Sequence, residues 1–197
     1  MSSPSCELAP SGPAPVSDQP RLPGSLAKGV KTVAEFLADP DLCIPDYQRP
    51  YKWTARHINQ LFADINRHKD KNAYRLGTIV FHREGKKRNI VDGQQRTISL
   101  VLAIHALVET RINGPQETRI QNPELAACLE NLANRMLNPG FNNRLSQSNI
   151  RNNYQAIRRI VSRPEVTEDS IAFLLHRCEI VWFELQDISE AFQFFEN

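Results

Sequence analysis

The most informative part of this sequence reads Ile90-Val91-Asp92-Gly93-Gln94-Gln95-Arg96-Thr97. A short apolar run ends in an acidic residue and a glycine, and an apolar helical run follows from Ile98. This order of residue types predicts a strand, a tight turn and the first turn of a helix. The first N–H groups of a helix have no partner within it, and together with the helix dipole they favour an anion. The stretch therefore predicts an anion site at the turn.

The side chains of the turn suit a phosphate ligand. Gly93 allows a sharp turn or a close approach to a ligand, and Arg96 offers a fork of donors that matches phosphate oxygens. Asp92 could hold Mg²⁺ or orient water, while Gln94 and Gln95 could hold a nucleophilic water or a sugar. Alternatively, Asp92 only caps the helix and the other polar side chains face solvent. From these residues alone both interpretations stay open.

A box of polar and aromatic residues lies upstream and reads Ile44-Pro45-Asp46-Tyr47-Gln48-Arg49-Pro50-Tyr51-Lys52-Trp53. In chain order, we call residues 44–53 the first box and residues 90–97 the second box. Its two prolines preclude a helix and keep the residues before them extended. An extended, aromatic and cationic segment suits a surface that stacks on bases or pairs with phosphate. The alternative is a hydrophobic anchor for the following helix, which suits Trp53 better than Gln48 and Arg49.

Together the two boxes resemble the N-terminal domain of GmrSD-type restriction endonucleases, where an I-P-x-Y-Q-R-x-Y-x-W-like box precedes a D-G-Q-Q-R box. The resemblance spans roughly residues 30–197. It implies an α+β fold, with a small mixed sheet like that of ParB and sulfiredoxin, a strand–loop–helix phosphate site and a mainly helical half. Sulfiredoxin itself is disfavoured because the loop at residues 92–96 contains no cysteine.

The resemblance also implies a function. It implies an NTP-binding and NTP-hydrolysing sensor domain of a modification-dependent DNA restriction and phage-defence protein, without the nuclease module. Mg²⁺ and an NTP are the implied cofactors, DNA is a further partner, and an HNH-type nuclease domain or subunit lies elsewhere. The alternative is a non-catalytic nucleotide- or DNA-binding clamp or switch, as the kinship with ParB suggests. A protein-interaction domain with a vestigial loop is a third interpretation.

By this resemblance the family's functional roles fall on the residues of both boxes. The expected catalytic residues are Asp92, Gln94 and Gln95, with Asp92 also the ligand of Mg²⁺. The residues expected to bind the nucleotide are Gly93, Arg96, Thr97, Tyr47, Gln48 and Arg49.

Composition and charge agree with a nucleotide or nucleic-acid ligand. Of the 197 residues, 41% are hydrophobic and 23% are charged, which is typical of soluble proteins. The chain has neither an apolar run near the ~18 residues of a membrane span nor a secretory signal, and its four cysteines show no C-x-x-C pair. We therefore expect a cytoplasmic protein with free thiols. Residues 49–96 hold twelve Lys and Arg against four Asp and Glu, which favours a polyanion. A solvated basic face is the alternative.

The sequence divides into three parts. We predict that residues 1–25 form a disordered Pro/Ser-rich tail, since six of the 13 prolines fall within residues 4–23. The resemblance implies that residues 26–112 form a ParB/sulfiredoxin-like nucleotide-binding core, in which we expect Thr32 and Thr54 to begin helices. Residues 113–197 form a helical portion with one returning strand, Glu179–Leu185. We expect this portion to be truncated, because its last helix reaches Asn197 without a C-cap.

Overall fold

Polar caps begin the first two helices of the structure. The computed structural model describes residues 27–45, 49–135 and 144–185. The Thr32 hydroxyl accepts the Glu35 N–H at 3.2 Å, and the Glu35 carboxylate accepts the Thr32 N–H at 2.8 Å. Thr54 begins the second helix through His57, whose Nδ1 accepts the Thr54 N–H at 3.1 Å. Both predicted helix starts are confirmed.

The described residues form a five-stranded sheet and six α-helices. In chain order these are β1 (Ala27–Thr32), α1 (Val33–Leu37), β2 (Leu42–Cys43), α2 (Ala55–Arg67), β3 (Tyr74–Glu84), β4 (Lys87–Asp92), α3 (Gln94–Leu107), α4 (Pro123–Arg135), α5 (Arg144–Val161), α6 (Glu168–His176) and β5 (Cys178–Leu185). A π-helical turn at Val108–Ile112 and a 3₁₀ turn at Gln116–Thr118 follow α3. The predicted tail at residues 1–25 and the predicted last helix lie outside the described residues.

The sheet is mixed, and its strand order is β1-β5-β3-β4-β2. Strand β5 pairs antiparallel with β1 and parallel with β3, whereas β3 pairs antiparallel with β4. The predicted α+β class with a mixed sheet is confirmed, and the likeness to ParB and sulfiredoxin stays a prediction. Because β5 follows the helical portion but lies between β1 and β3, the sheet joins both sides of the predicted boundary at residue 112.

Helix α3 lies in the core of the protein. Ten of its 14 residues are buried, as its nearly unbroken apolar sequence predicts. Alternate residues of the strands, among them Ile79, Phe81, Ile90 and Ile180, join α3 and the other helices in one hydrophobic cluster. A helix enclosed in this way cannot rotate or slide, so its first turn is fixed relative to β3 and β4.

Arg88 joins two buried carboxylates at the sheet. Its Nη1 donates to Asp39 at 2.6 Å and its Nε donates to Glu184 at 2.9 Å, while Arg83 donates to both oxygens of Glu184. Burial alone would raise the pKa of both carboxyl groups. Hydrogen bonds from Lys31 and Arg88 to Asp39, and from both arginines to Glu184, instead hold each pKa below its ordinary value. The network ties β4 to β5 and to the residues that follow α1.

Arg88→Met should lower the free energy of unfolding by about 3–5 kcal/mol, because two buried carboxylates lose their shared partner. Urea unfolding at pH 7 measures the change. Arg75→Ala is the matched control, since the Arg75 side chain is 69% exposed and lies 3.5 Å from Glu179. An exposed pair of this kind contributes at most about 1 kcal/mol, and equal losses in the two variants would contradict the buried network.

The lowered pKa values also predict how stability changes with pH. A carboxyl group with a folded-state pKa below its unfolded value of about 4 contributes fully above the unfolded pKa. That contribution is lost as the pH falls through the folded pKa. Glu184→Gln removes one such group. As the pH is lowered from about 4.5 to 2, the free energy of unfolding of this variant should therefore fall less steeply than that of wild type. Denaturant titrations at stepped pH test this, and an unchanged slope would count against it.

Candidate functional site

The turn between β4 and α3 requires glycine at residue 93. Gly93 adopts a left-handed conformation with φ 87° and ψ 5°. A Cβ atom there would lie 2.6 Å from Ile79 Cγ1 and 3.1 Å from the Thr78 carbonyl oxygen, so a side chain is excluded by space as well as by φ. The Thr97 N–H donates to the Gly93 carbonyl at 3.0 Å. The N–H groups of residues 94–96 precede this bond and lie at the start of the helix, as the sequence predicts.

A β-bulge places Asp92 at the end of β4. Val80 of β3 pairs with Asp92 and Phe81 pairs with Ile90, which leaves Val91 as the extra residue. Bulges of this kind bend a strand and redirect the side chains beside them. The Asp92 side chain is exposed, so its carboxylate is accessible beside the first turn of α3.

Arg96 lies flat against β3 at a second glycine. A Cβ atom on Gly77 would lie 2.8 Å from Arg96 Nη1 and 2.9 Å from its Cζ, and Nη1 is 3.4 Å from the Thr78 carbonyl oxygen to which it donates. Burial lowers the pKa of the Arg96 guanidinium, although the charges of Asp92 and Tyr74 oppose this. Arginine nevertheless stays cationic at neutral pH. Within the described part of the chain no carboxylate forms an ion pair with Arg96, so it has donors left for an anion.

Gln94 and Thr97 differ in what their polar groups contact. Gln94 is only 5% exposed, and its buried Nε2 has no hydrogen-bond partner among the residues that the structure describes. A buried donor without a partner costs about 1–3 kcal/mol, and such a group needs an explanation. Thr97 is fully buried, and its hydroxyl donates to the Gly93 carbonyl at 3.1 Å. The Thr97 hydroxyl therefore holds the turn, and its predicted contact with a nucleotide stays a prediction.

Gln95 holds the backbone of the first box. Its Oε1 accepts the Lys52 N–H at 2.7 Å and the Trp53 N–H at 3.1 Å, and its Nε2 donates to the Pro50 carbonyl at 3.1 Å. The two boxes, distant in sequence, thus meet through one side chain. Because this amide is engaged at both ends, its geometry favours a positioning role over the water-holding role that the sequence suggested. The catalytic role of Gln95 stays a prediction.

Tyr51 links the first box to α3 through a buried chain of hydroxyl groups. The Ser99 hydroxyl donates to the Gln95 carbonyl at 2.8 Å, so it accepts the Tyr51 hydroxyl hydrogen at 2.8 Å. Asn153 Nδ2 in turn donates to Tyr51 Oη at 2.9 Å. Burial raises the pKa of Tyr51, against the opposing effect of Ser99 and Asn153. The hydroxyl therefore keeps its hydrogen at neutral pH.

Helix α5 supplies further contacts to the first box that the sequence did not identify. Asn149 Nδ2 donates to the Tyr51 carbonyl at 2.9 Å, Asn153 Nδ2 donates to the Trp53 carbonyl at 2.8 Å, and Ser146 Oγ accepts the Tyr51 N–H at 3.0 Å. Ser146, Asn149 and Asn153 are spaced three and four apart and so share one helix face. Polar residues at that spacing within the apolar stripe of α5 were the available signal. Gly77, an isolated glycine in a strand pattern, was another.

The other predictions from the sequence concern three residues of the first box and the Mg²⁺ ion. Arg49 is exposed just before the segment that Gln95 holds, and Tyr47 and Gln48 lie outside the described residues. Across residues 27–45, 49–135 and 144–185, no group of three or more His, Cys, Asp and Glu could hold a metal ion. A single carboxylate such as Asp92 still fits Mg²⁺, which commonly takes one or two protein carboxylates when phosphates supply other ligands.

A groove of about 810 Å³ lies elsewhere, between α2, the end of α5 and α6. Its lining includes Phe62, Leu107 and Ile171 but none of the residues of the turn. The functional residues predicted from the two boxes therefore do not coincide with this groove.

Gly77→Ala should displace the Arg96 guanidinium and lower the free energy of unfolding by about 1–3 kcal/mol, because φ is +132° and the added Cβ would lie only 2.8 Å from Arg96 Nη1. Gly85→Ala is the control, because Gly85 has φ +61° but no atom within 4 Å of the added Cβ. The Gly77→Ala loss should shrink in an Arg96→Ala background, where the overlap is gone. Chemical denaturation of the four variants tests this, and strictly additive losses would contradict the contact.

Among the described helices, none combines the length and apolar character needed to cross a membrane.

Comparison with known proteins identifies the family of this chain. No curated protein matches the chain. The family model of the GmrSD restriction endonuclease N-terminal domain matches residues 33–197, which include both boxes. The resemblance found in the sequence is confirmed: the chain belongs to the GmrSD restriction endonuclease N-terminal domain family and is a module of a restriction-type defence protein.

Proposed function

We propose that this domain binds an NTP at the start of α3 and hydrolyses it, as the sensor of a modification-dependent restriction protein. The observation that carries the proposal is the placement of Arg96. Its guanidinium has no ion-pair partner among the described residues, and it is held against Gly77 beside the first turn of a buried helix. A fixed cation next to helix N–H groups is the arrangement that binds phosphate in proteins.

Each residue of the turn has a role in this proposal. The N–H groups of residues 94–96 and the Arg96 guanidinium bind phosphate oxygens. Gln94 Nε2, which is buried without a partner, donates to a phosphate oxygen or to the attacking water. Phosphoryl transfer needs positioning and charge neutralisation rather than a covalent nucleophile. The turn therefore needs no further type of catalytic group.

Asp92 would hold Mg²⁺ in this proposal. Its exposed carboxylate lies at the end of β4, beside the helix start. When bound, the ion neutralises charge on the phosphates. Without it, Asp92 would repel the triphosphate, which predicts that nucleotide binding depends on Mg²⁺.

The second candidate is a non-catalytic clamp or switch that binds a nucleotide or DNA without turnover. The hydrogen bonds of Gln95 favour this second candidate. Because they engage both ends of the Gln95 amide, only Gln94 of the two glutamines is left for a role in catalysis. A domain that binds NTP but releases no phosphate above a protein-free control would support the clamp. We also propose that DNA and an HNH-type nuclease domain or subunit are partners of this domain, and that the protein is cytoplasmic. These proposals rest on the family and on the basic residues around both boxes.

Arg96→Ala should weaken NTP binding roughly ten-fold or more, because charge-assisted hydrogen bonds contribute about 1.5–3 kcal/mol. Gln94→Ala should slow phosphate release more than it weakens binding. Calorimetric titration with each of the four NTPs plus Mg²⁺ gives the affinities, and a phosphate-release assay gives the turnover.

Arg151→Ala is the control, since Arg151 is exposed on α5 and should change neither quantity. The site would be rejected by undiminished hydrolysis in the Asp92→Ala/Arg96→Ala double variant.

A further inference from the structure

We propose that Gln95, Tyr51 and Asn153 are positioning residues that hold residues 50–53, the end of the first box, in register with the turn that would bind phosphate. We call the hydrogen bonds from these three side chains to residues 50–53 and to α3 the latch. The effect of the latch on nucleotide binding rests on the proposed function. Its effect on the first box does not, and the two can be measured separately.

The first part of the latch is the amide of Gln95, which fixes the backbone of residues 50–53 in one register. Its oxygen accepts two consecutive N–H groups, those of Lys52 and Trp53, while its nitrogen donates to the carbonyl of Pro50. The amide offers an acceptor and a donor on neighbouring atoms, and both are used here. A glutamate would keep the acceptor but place negative charge against the Pro50 carbonyl.

The second part of the latch is the chain from Asn153 through Tyr51 to Ser99. Both donated hydrogens of Asn153 are accounted for, one on Tyr51 Oη and one on the Trp53 carbonyl. Its Oδ1 is buried and has no partner in the described part of the chain, and rotating the amide would bring that oxygen against the Trp53 carbonyl. The orientation of Asn153 is therefore determined by the first box. A buried polar network with this little freedom fixes one geometry.

The latch and the phosphate contacts share one residue. Gln95 is the second residue of α3, so its N–H belongs to the helix start that faces the phosphate, while its side chain holds the first box. Arg49 is exposed directly before Pro50, the first residue that the latch holds. A shift of the first box would therefore move Arg49 relative to the turn. Positioning through a second residue of this kind is how sites keep their geometry.

The test measures amide hydrogen exchange and NTP affinity on the same variants. In Gln95→Ala, the Lys52 and Trp53 amides should exchange roughly ten-fold faster, because their acceptor is gone. Gln95→Glu, which keeps the acceptor, should restore part of the protection. Tyr51→Phe removes one hydroxyl without changing the shape of the ring, and should weaken NTP binding roughly five-fold. Tyr154→Phe removes a tyrosine hydroxyl that binds Glu109 instead and should change neither quantity.

Each result supports or overturns a defined part of the inference. Unchanged exchange in Gln95→Ala overturns the latch. Faster exchange with unchanged NTP affinity in Gln95→Ala and Tyr51→Phe, at a temperature where all variants are folded, overturns the positioning role. Wild-type protein that binds none of the four NTPs rejects the proposed function and with it the role toward nucleotide. The exchange measurement still decides the latch in that case.

Discussion

The burial of α3 is the constraint on which the candidate site depends. Ten of the 14 residues of this helix are buried, so it has no freedom to rotate about its axis. Successive side chains on a helix point about 100° apart, and the first three of α3 consequently have three different surroundings. Gln94 is buried, Gln95 contacts the first box, and Arg96 lies on β3. One rigid helix thus sets the direction of every polar side chain in its first turn.

Strand β3 is the surface against which this turn is fixed. Gly93 lies so close to Ile79 and Thr78 that it admits no Cβ, and a Cβ at Gly77 would have to displace the Arg96 guanidinium that covers it. Two register shifts of β3, one with β4 and one with β5, lie at these same places. Close backbone contact and local bulges keep Asp92 and Arg96 near one turn without a direct ion pair between them. Charges that are held apart in this way remain available to a ligand.

The helical half is part of the same structure as the turn. Strand β5 lies between β1 and β3, and α5 donates to the backbone of the first box through Asn149 and Asn153. Arg88 adds an ionic link between β4 and Glu184 of β5. Through Asn153, Tyr51 and Ser99, α5 is therefore connected to α3 by a chain of buried hydrogen bonds.

Features that depend on neighbours along the chain could be predicted from the amino-acid sequence. The capping box at Thr32, the strand–turn–helix at Gly93 and the buried character of α3 follow from local spacing and residue type, and the two boxes indicated the family. Which polar groups meet could not be predicted, because it depends on how distant elements pack. Gln95 reaches Lys52 across 43 residues and Asn153 reaches Tyr51 across 102, and neither pairing leaves a periodic pattern in the sequence. Local sequence fixes backbone conformation, whereas the partner of a polar side chain depends on how distant elements pack.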